Sequence, residues 1–230
     1  MPVGFQSFTD GGVLQIDANF KHLVFHSKGT LSSFPTTITS GVSKRGEFSV
    51  AGLIAPVLLV KEDNGILRRV TKSGSTYTFD IAVKWAASAA EWYLFDVIPD
   101  APASGGGFQL FTEAGELSFD ASMRPLIPLA VSSVGAAGAT YGVTSGRVYA
   151  VSFSAFPLFG LFDSMFSDEV ARYQIHTFFP TRASATLLDL QQWAFRGAAL
   201  GFGEYPPNSD GAIPRATTPV LVSIVDVTGL

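Results

Sequence analysis

Three histidines, a scatter of carboxylates and many serines are the side chains through which this sequence could do chemistry. His22 and His26 stand four residues apart. On a strand that spacing leaves them roughly 13 Å apart on one side, too far for a single metal ion. On a helix it would suit one, but Leu23-Val24-Phe25 between them reads as strand, and no third ligand stands near. The reading favours two imidazoles on a solvated strand face and no metal site. His176 falls among aromatics in a strand-like run and has no sequence partner. A nucleophilic triad needs serine, histidine and an acid brought together by the fold, and no Gly-x-Ser-x-Gly elbow singles out a serine. Asp17 and Asp120 occupy matching places in the chain. Hydrolysis by paired carboxylates needs two acids about 5–10 Å apart around a substrate. An aspartate that caps a turn through backbone hydrogen bonds is the simpler role for each. Gly105-Gly106-Gly107 lacks the following helix and the Lys-Ser/Thr of a phosphate-binding loop. With no cysteine, thiol catalysis, disulfides and zinc–thiolate sites are absent together. The expectation is a protein that is not an enzyme, with no catalytic residues and no cofactor.

The elements that hold these residues begin with a repeat. Residues 4–18 read GFQSFTDGGVLQIDA and residues 107–121 read GFQLFTEAGELSFDA, nine of fifteen positions identical at a constant offset of 103. Lys21 then aligns with Arg124 and Leu23 with Leu126. Each copy holds two short β-prone runs around Asp10-Gly11-Gly12 or Glu113-Ala114-Gly115, the chemistry of a tight hairpin. The final glycine is the place where left-handed backbone is expected. In the returning runs, Leu14 and Ile16, then Leu117 and Phe119, alternate with wetter residues, the pattern of an antiparallel sheet.

More strands lie between and beyond the copies. Val57 to Glu62 and Ile66 to Val70 flank Asp63-Asn64-Gly65, which predicts a hairpin. After Ser73-Gly74-Ser75, the residues Tyr77, Phe79, Ile81, Val83 and Trp85 share one face of a strand. Trp92 to Ile98, Arg147 to Ala155, Ala171 to Phe179 and Val220 to Val227 read as strands too. Trp85, Trp92 and Tyr93 have rings that could stack on a sugar, but the alternation around Trp85 favours core. Residues 99–106 and the Gly/Ala/Ser-rich stretch from Gly135 to Gly146 read as connections. Ala183 to Ala199 suits either a helical stripe or a strand, with strand favoured by its surroundings. The fold class is therefore all-β, a β-sandwich of antiparallel sheets with a repeated hairpin. The repeat suggests an N-terminal β region at 1–104 and a C-terminal one at 105–230. One composite domain fits as well, since the sequences after the two hairpins do not align.

Composition bounds the partners. The chain is 47% hydrophobic with 20 Phe, and only 15% charged, against roughly 25% in an ordinary domain. So few charges cannot dress a monomer's surface, which points to assembly. A net charge of −4, with no run of Lys and Arg longer than a pair such as Arg68-Arg69, offers no footprint for nucleic acid. Solvated strand residues are the expected role of that pair. Val148 to Phe166 is the most apolar stretch but is broken by Ser, Pro and Gly, so a strand followed by an apolar loop is expected rather than a stable membrane span. Met1-Pro2-Val3-Gly4-Phe5 lacks the basic and apolar regions of a secretory signal.

The pattern Gly-Phe-Gln-x-Phe-x-x-x-Gly-x-Leu-x-Phe/Ile-Asp resembles hairpins in a family of small tail proteins of long-tailed bacteriophages and prophages. Those carry a similar "GLQVFN…GELVFDS" phrase, often twice; here Ala18 and Ala121 stand where the family has Ser. The resemblance implies a virion structural protein of the tail tip, baseplate or fibre base, made in the host cytoplasm. Its implied partners are other tail proteins and copies of itself, a trimer being favoured by the tail's axial symmetry. It implies no catalytic residues. The competing reading is a receptor- or carbohydrate-binding β module contacting a host surface glycan. Its best place is the loop 201–213, through Tyr205, Asn208 and Asp210.

Overall fold

The computed structural model describes residues 6–8, 14–18, 20–39, 43–63, 65–99, 107–134, 138–154, 159–163, 171–200 and 220–230. Among these there are strands and turns and no helix, so no helix is long and apolar enough to cross a membrane. Two short hairpins stand apart from the main sheets: β1 (Gln6–Phe8) with β2 (Leu14–Asp17), and β10 (Gln109–Phe111) with β11 (Leu117–Asp120).

The first half continues with β3 (Leu23–Leu31), β4 (Thr36–Thr39), β5 (Ser43–Ala51), β6 (Val57–Lys61), β7 (Ile66–Ser73), β8 (Thr76–Lys84) and β9 (Ala90–Val97). The second continues with β12 (Pro128–Val134), β13 (Ala139–Gly142), β14 (Tyr149–Phe153), β15 (Phe159–Asp163), β16 (Ala171–Ser184), β17 (Leu187–Leu200) and β18 (Val220–Asp226). A six-stranded sheet runs in the order β12-β18-β14-β6-β9-β3. Two four-stranded sheets run β4-β5-β8-β7 and β13-β17-β16-β15. All pairings are antiparallel.

The strand order carries the repeat well past the hairpins. In each half the chain makes a hairpin and lays one strand into the six-stranded sheet. It then crosses to a four-stranded sheet, returns, and crosses again to form a long strand pair (β7–β8 or β16–β17). Its last strand slots between the first two, β9 between β3 and β6, and β18 between β12 and β14. The six-stranded order is thus a palindrome about the β6–β14 junction, where Ala150 faces Lys61 and Val151 faces Val60. The two halves share this path in the six-stranded sheet, which joins them, but divide their four-stranded sheets differently: β4–β5 then β7–β8 in the first, β13 then β15–β16–β17 in the second.

Alternation explains the layers. In β8, Phe79, Ile81 and Val83 are wholly buried against Leu58 and Val60 of β6 and Leu94 of β9, forming the first sandwich core. In the second, Leu188 and Leu190 of β17 meet Tyr149, Val151, Val222 and Ile224. The opposite face of the central strands is also covered: Leu59, Tyr93 and Phe95 cluster with Ala150, Val225 and Val227 from the other half. Strands buried on both faces read as unbroken apolar runs, as in Val57-Leu58-Leu59-Val60. Trp92 lies stacked on Phe48, ring centroids 4.4 Å apart. Its indole sits so close over Gly29 of β3 that any Cβ there would come within 2.4 Å of the ring.

Several sequence expectations change in detail. Asp63-Asn64-Gly65 does not close a hairpin, because β6 and β7 belong to different sheets. Its left-handed Asp63 (φ 67°) instead turns the chain from one layer to the other, held by the Pro180 carbonyl and the Arg182 amide. The stretch from Gly135 to Gly146 contains a strand, β13, paired to β17. Ala183 to Ala199 is strand around a turn at 185–186: Ala183 and Ser184 end β16, and Leu187 onward is β17, the closing arm of the pair. The described residues of Val148 to Phe166 include β14 and β15, which lie in two different sheets. Trp85 lies just past the end of β8 and is 42% exposed, so the alternation that predicted core stops one residue short of it.

Candidate functional site

The duplicated hairpins are the feature that sequence and structure single out together. Their registers match residue for residue: Gln6 faces Asp17 and Gln109 faces Asp120, and both pairs of strands slip by one at the same place before Phe8 or Phe111. In each copy the glutamine amide donates to Oδ2 of the facing aspartate, at 2.8 and 2.9 Å. The identical Gln and Asp of the repeat are therefore one cross-strand clamp used twice. Asp120 Oδ1 also accepts from the Ser122 amide (2.8 Å) and hydroxyl (2.6 Å), while the Met123 amide returns to the Asp120 carbonyl. The Phe20 amide returns to the Asp17 carbonyl in the same way. Both aspartates are buried and serve as turn anchors. Gly115 takes the left-handed backbone expected of it, φ 79°.

The hairpins meet one another. The Phe25 amide donates to the Arg124 carbonyl and the Leu126 amide to the Leu23 carbonyl, so the two exits pair around Val24 and Pro125. His22 stands at this junction. Its amide donates to the Ser118 carbonyl, its Nε2 accepts from the Asp17 amide (3.3 Å), and its ring meets Phe119 edge-on at 5.7 Å. Lys21 of one copy reaches Glu116 of the other at 3.4 Å. The histidine joins two hairpins, while His26, bulged out of β3, is exposed and contacts Ser27 Oγ. The two therefore do not share a strand face.

Beside this junction lies a cleft of about 570 Å³ between the β3–β9 edge, the Gly52–Ile54 corner and the exit of the second hairpin. Its walls bring together His26, Asp96, Ser122 and Arg124 with Ile54 and Met123. Both Asp96 oxygens are taken by backbone, from the Ile54 amide (2.9 Å) and the Ala55 amide (2.8 Å). Ser122 is bonded to Asp120, and Arg124 donates to the Gly229 carbonyl. Serine, histidine and acid thus line one cleft but are held in separate bonds rather than in a relay. What the cleft offers is a mixed apolar and polar surface for binding.

Two buried charge clusters escaped the sequence reading. Asp80, in the middle of β8, collects Arg45 at 2.6 Å, Arg68 at 2.8 Å and Arg69 at 3.9 Å. The Arg68-Arg69 pair, expected as ordinary solvated residues, flanks a carboxylate that is 1% exposed. At the junction of the halves, Glu62 accepts from the Tyr149 amide (2.8 Å) and from Arg182 (3.1 Å), whose guanidinium lies over the Tyr149 ring. Burial raises the Glu62 carboxyl above the ordinary range, opposed by those backbone bonds and the Arg182 charge. Neither cluster has a local spacing signal, since partners lie up to 120 residues apart.

The remaining candidates are scattered. Trp92 and Tyr93 belong to cores, leaving Trp85 exposed without them. His176 is placed by backbone pairing in β16, opposite Phe159 and Ala194. Tyr205, Asn208 and Asp210 lie outside the described residues. Among the described residues, no three His, Asp or Glu side chains gather as a metal-ligand set would. Comparison with known proteins returned no matching family model, no similar curated protein and no similar solved structure.

Proposed function

We propose that this chain is a structural subunit of a bacteriophage tail, placed at the tail tip, baseplate or fibre base and acting by assembly into a homo-oligomer, with a trimer favoured by axial symmetry. The observation that carries the reading is the doubled hairpin, with its Gln–Asp clamp, in the phrase that resembles the tail-protein family. The surface agrees with it. Phe20, Phe108, Phe111, Ile127, Leu129 and Val131 are each about half exposed or more, apolar area that a lone soluble subunit seldom leaves bare. Polar residues of the cleft are bound into turns, which suits a rigid contact better than turnover. Quantitative mass spectrometry of gradient-purified particles tests the proposal. A fixed ratio to the other tail proteins is expected; absence from particles while the soluble lysate contains the chain would overturn it.

A second reading, a glycan- or receptor-binding module, draws on the 570 Å³ cleft and the exposed Trp85. Saturable binding to host surface glycans, lost in Tyr205→Ala or Trp85→Ala, would favour it.

A further inference from the structure

We infer that the edge of β12 that no described strand pairs with is a twofold docking surface for the β12 edge of a second copy of this chain. The two ends of the six-stranded sheet are equivalent by the palindromic strand order, β3 at one and β12 at the other. They are dressed in opposite ways. On β3 the exposed positions are His26, Lys28 and Thr30, and a bulge at His26 disturbs the edge. Charges and bulges of this kind keep an edge strand from recruiting another chain. On β12 the exposed positions include Leu129 (60%) and Val131 (59%), beside Leu221 (51%) on β18 and Ile127 (48%) just before the strand. No charged residue occurs between Arg124 and Arg147, so β12 itself brings no charge to a twin at this edge. A groove of about 350 Å³ walled by Val131, Leu221, Val70 and Pro56 extends the apolar ground it would cover.

The occupant follows from self-complementarity. A neutral edge with alternating exposed aliphatics matches its own inverted copy, and antiparallel pairing about a twofold axis is the arrangement this chain already uses where β6 meets β14. Val131 is the middle residue of β12 and would face its twin, with Leu129 opposite the twin's Ser133. The inference deepens the assembly reading by naming a surface, and depends on it only for self-association. A twofold contact requires an even number of chains, so it replaces the trimer that axial symmetry favours.

The absence of cysteine makes the test direct. Val131→Cys and, as control on the equivalent edge, Thr30→Cys are oxidised mildly, and the mass of the wild type and of Val131→Lys is measured by light scattering. The expected result is an even-numbered wild-type oligomer, a disulfide-linked dimer for Val131→Cys but not for Thr30→Cys, and association weakened about 100-fold or more in Val131→Lys. A trimer, or equal cross-linking at both edges, would overturn the twofold contact and leave tail assembly standing. A monomer at every concentration would overturn it too, while tail incorporation is judged separately on particles.

Discussion

Asp120 shows how a residue with catalytic potential is spent on structure. Its two oxygens hold Gln109 across the hairpin and Ser122 at the exit, and Asp17 repeats the first of these bonds. Asp120→Ala leaves those donors without their acceptor and should cost about 1–3 kcal/mol in urea denaturation, with Asp120→Asn costing less. Arg182 is the other residue on which much depends. Arg182→Met strands the buried Glu62 charge and should cost about 3–5 kcal/mol by the same measurement. Glu62 itself sets a pH dependence. Because burial holds its folded pKa above 4.5, its contribution to stability is full below that value and is lost as pH rises through the folded pKa. Glu62→Gln does not titrate, so paired denaturation series should show the variant gaining on the wild type from about pH 4.5 towards neutrality. Asp226 works in the opposite sense. Burial pushes it up, but bonds from Thr228 and Arg147 outweigh that and hold it below 3.8, so its contribution is lost only as strong acid protonates it.

At the scale of elements, the sequence was legible wherever large apolar side chains alternate with small or polar ones, even where both faces are buried, as in Phe79–Val83 of β8 and Leu117–Asp120 of β11. The hairpins, β8 and β18 announce themselves by alternation or by turn residues. What alternation could not reveal was partnership. Asp63-Asn64-Gly65 has the composition of a hairpin turn, yet both flanking strands find better burial in separate layers, and the turn becomes a corner. β13, Ala139-Thr140-Tyr141-Gly142, was hidden by its shortness and by the Gly- and Ala-rich residues around it, and is held by pairing to β17. Trp85 was misplaced because a period of two says nothing of where a strand stops. The candidate site divides in the same way. Its Gln, Asp and Gly positions stand out by repetition, whereas the cleft, the Asp80 cluster and the Glu62–Arg182 pair depend on contacts distant in sequence. Gly115→Ala tests the hairpin turn: with φ at 79° it should cost about 1–2 kcal/mol, although a methyl group there meets open space.

For the whole molecule, duplication and sharing are the organising facts. Each half lays its strands into the shared six-stranded sheet in the same order, but Leu59, Tyr93 and Phe95 of one are sealed by Ala150, Val225 and Val227 of the other. Calorimetry should therefore show one cooperative transition, and Phe95→Ala, at a cost of about 3–5 kcal/mol, should lower it without splitting it. Fragments 1–104 and 105–230 expressed apart should each expose this seam and associate when mixed. The proposed place in a tail rests on the low charge, the doubled hairpin and the apolar surface left to cover. The most direct test is antibody–gold labelling of intact particles, viewed by negative-stain microscopy. The account predicts label confined to one end of the tail; particles without label, whether intact or opened by detergent, would contradict it.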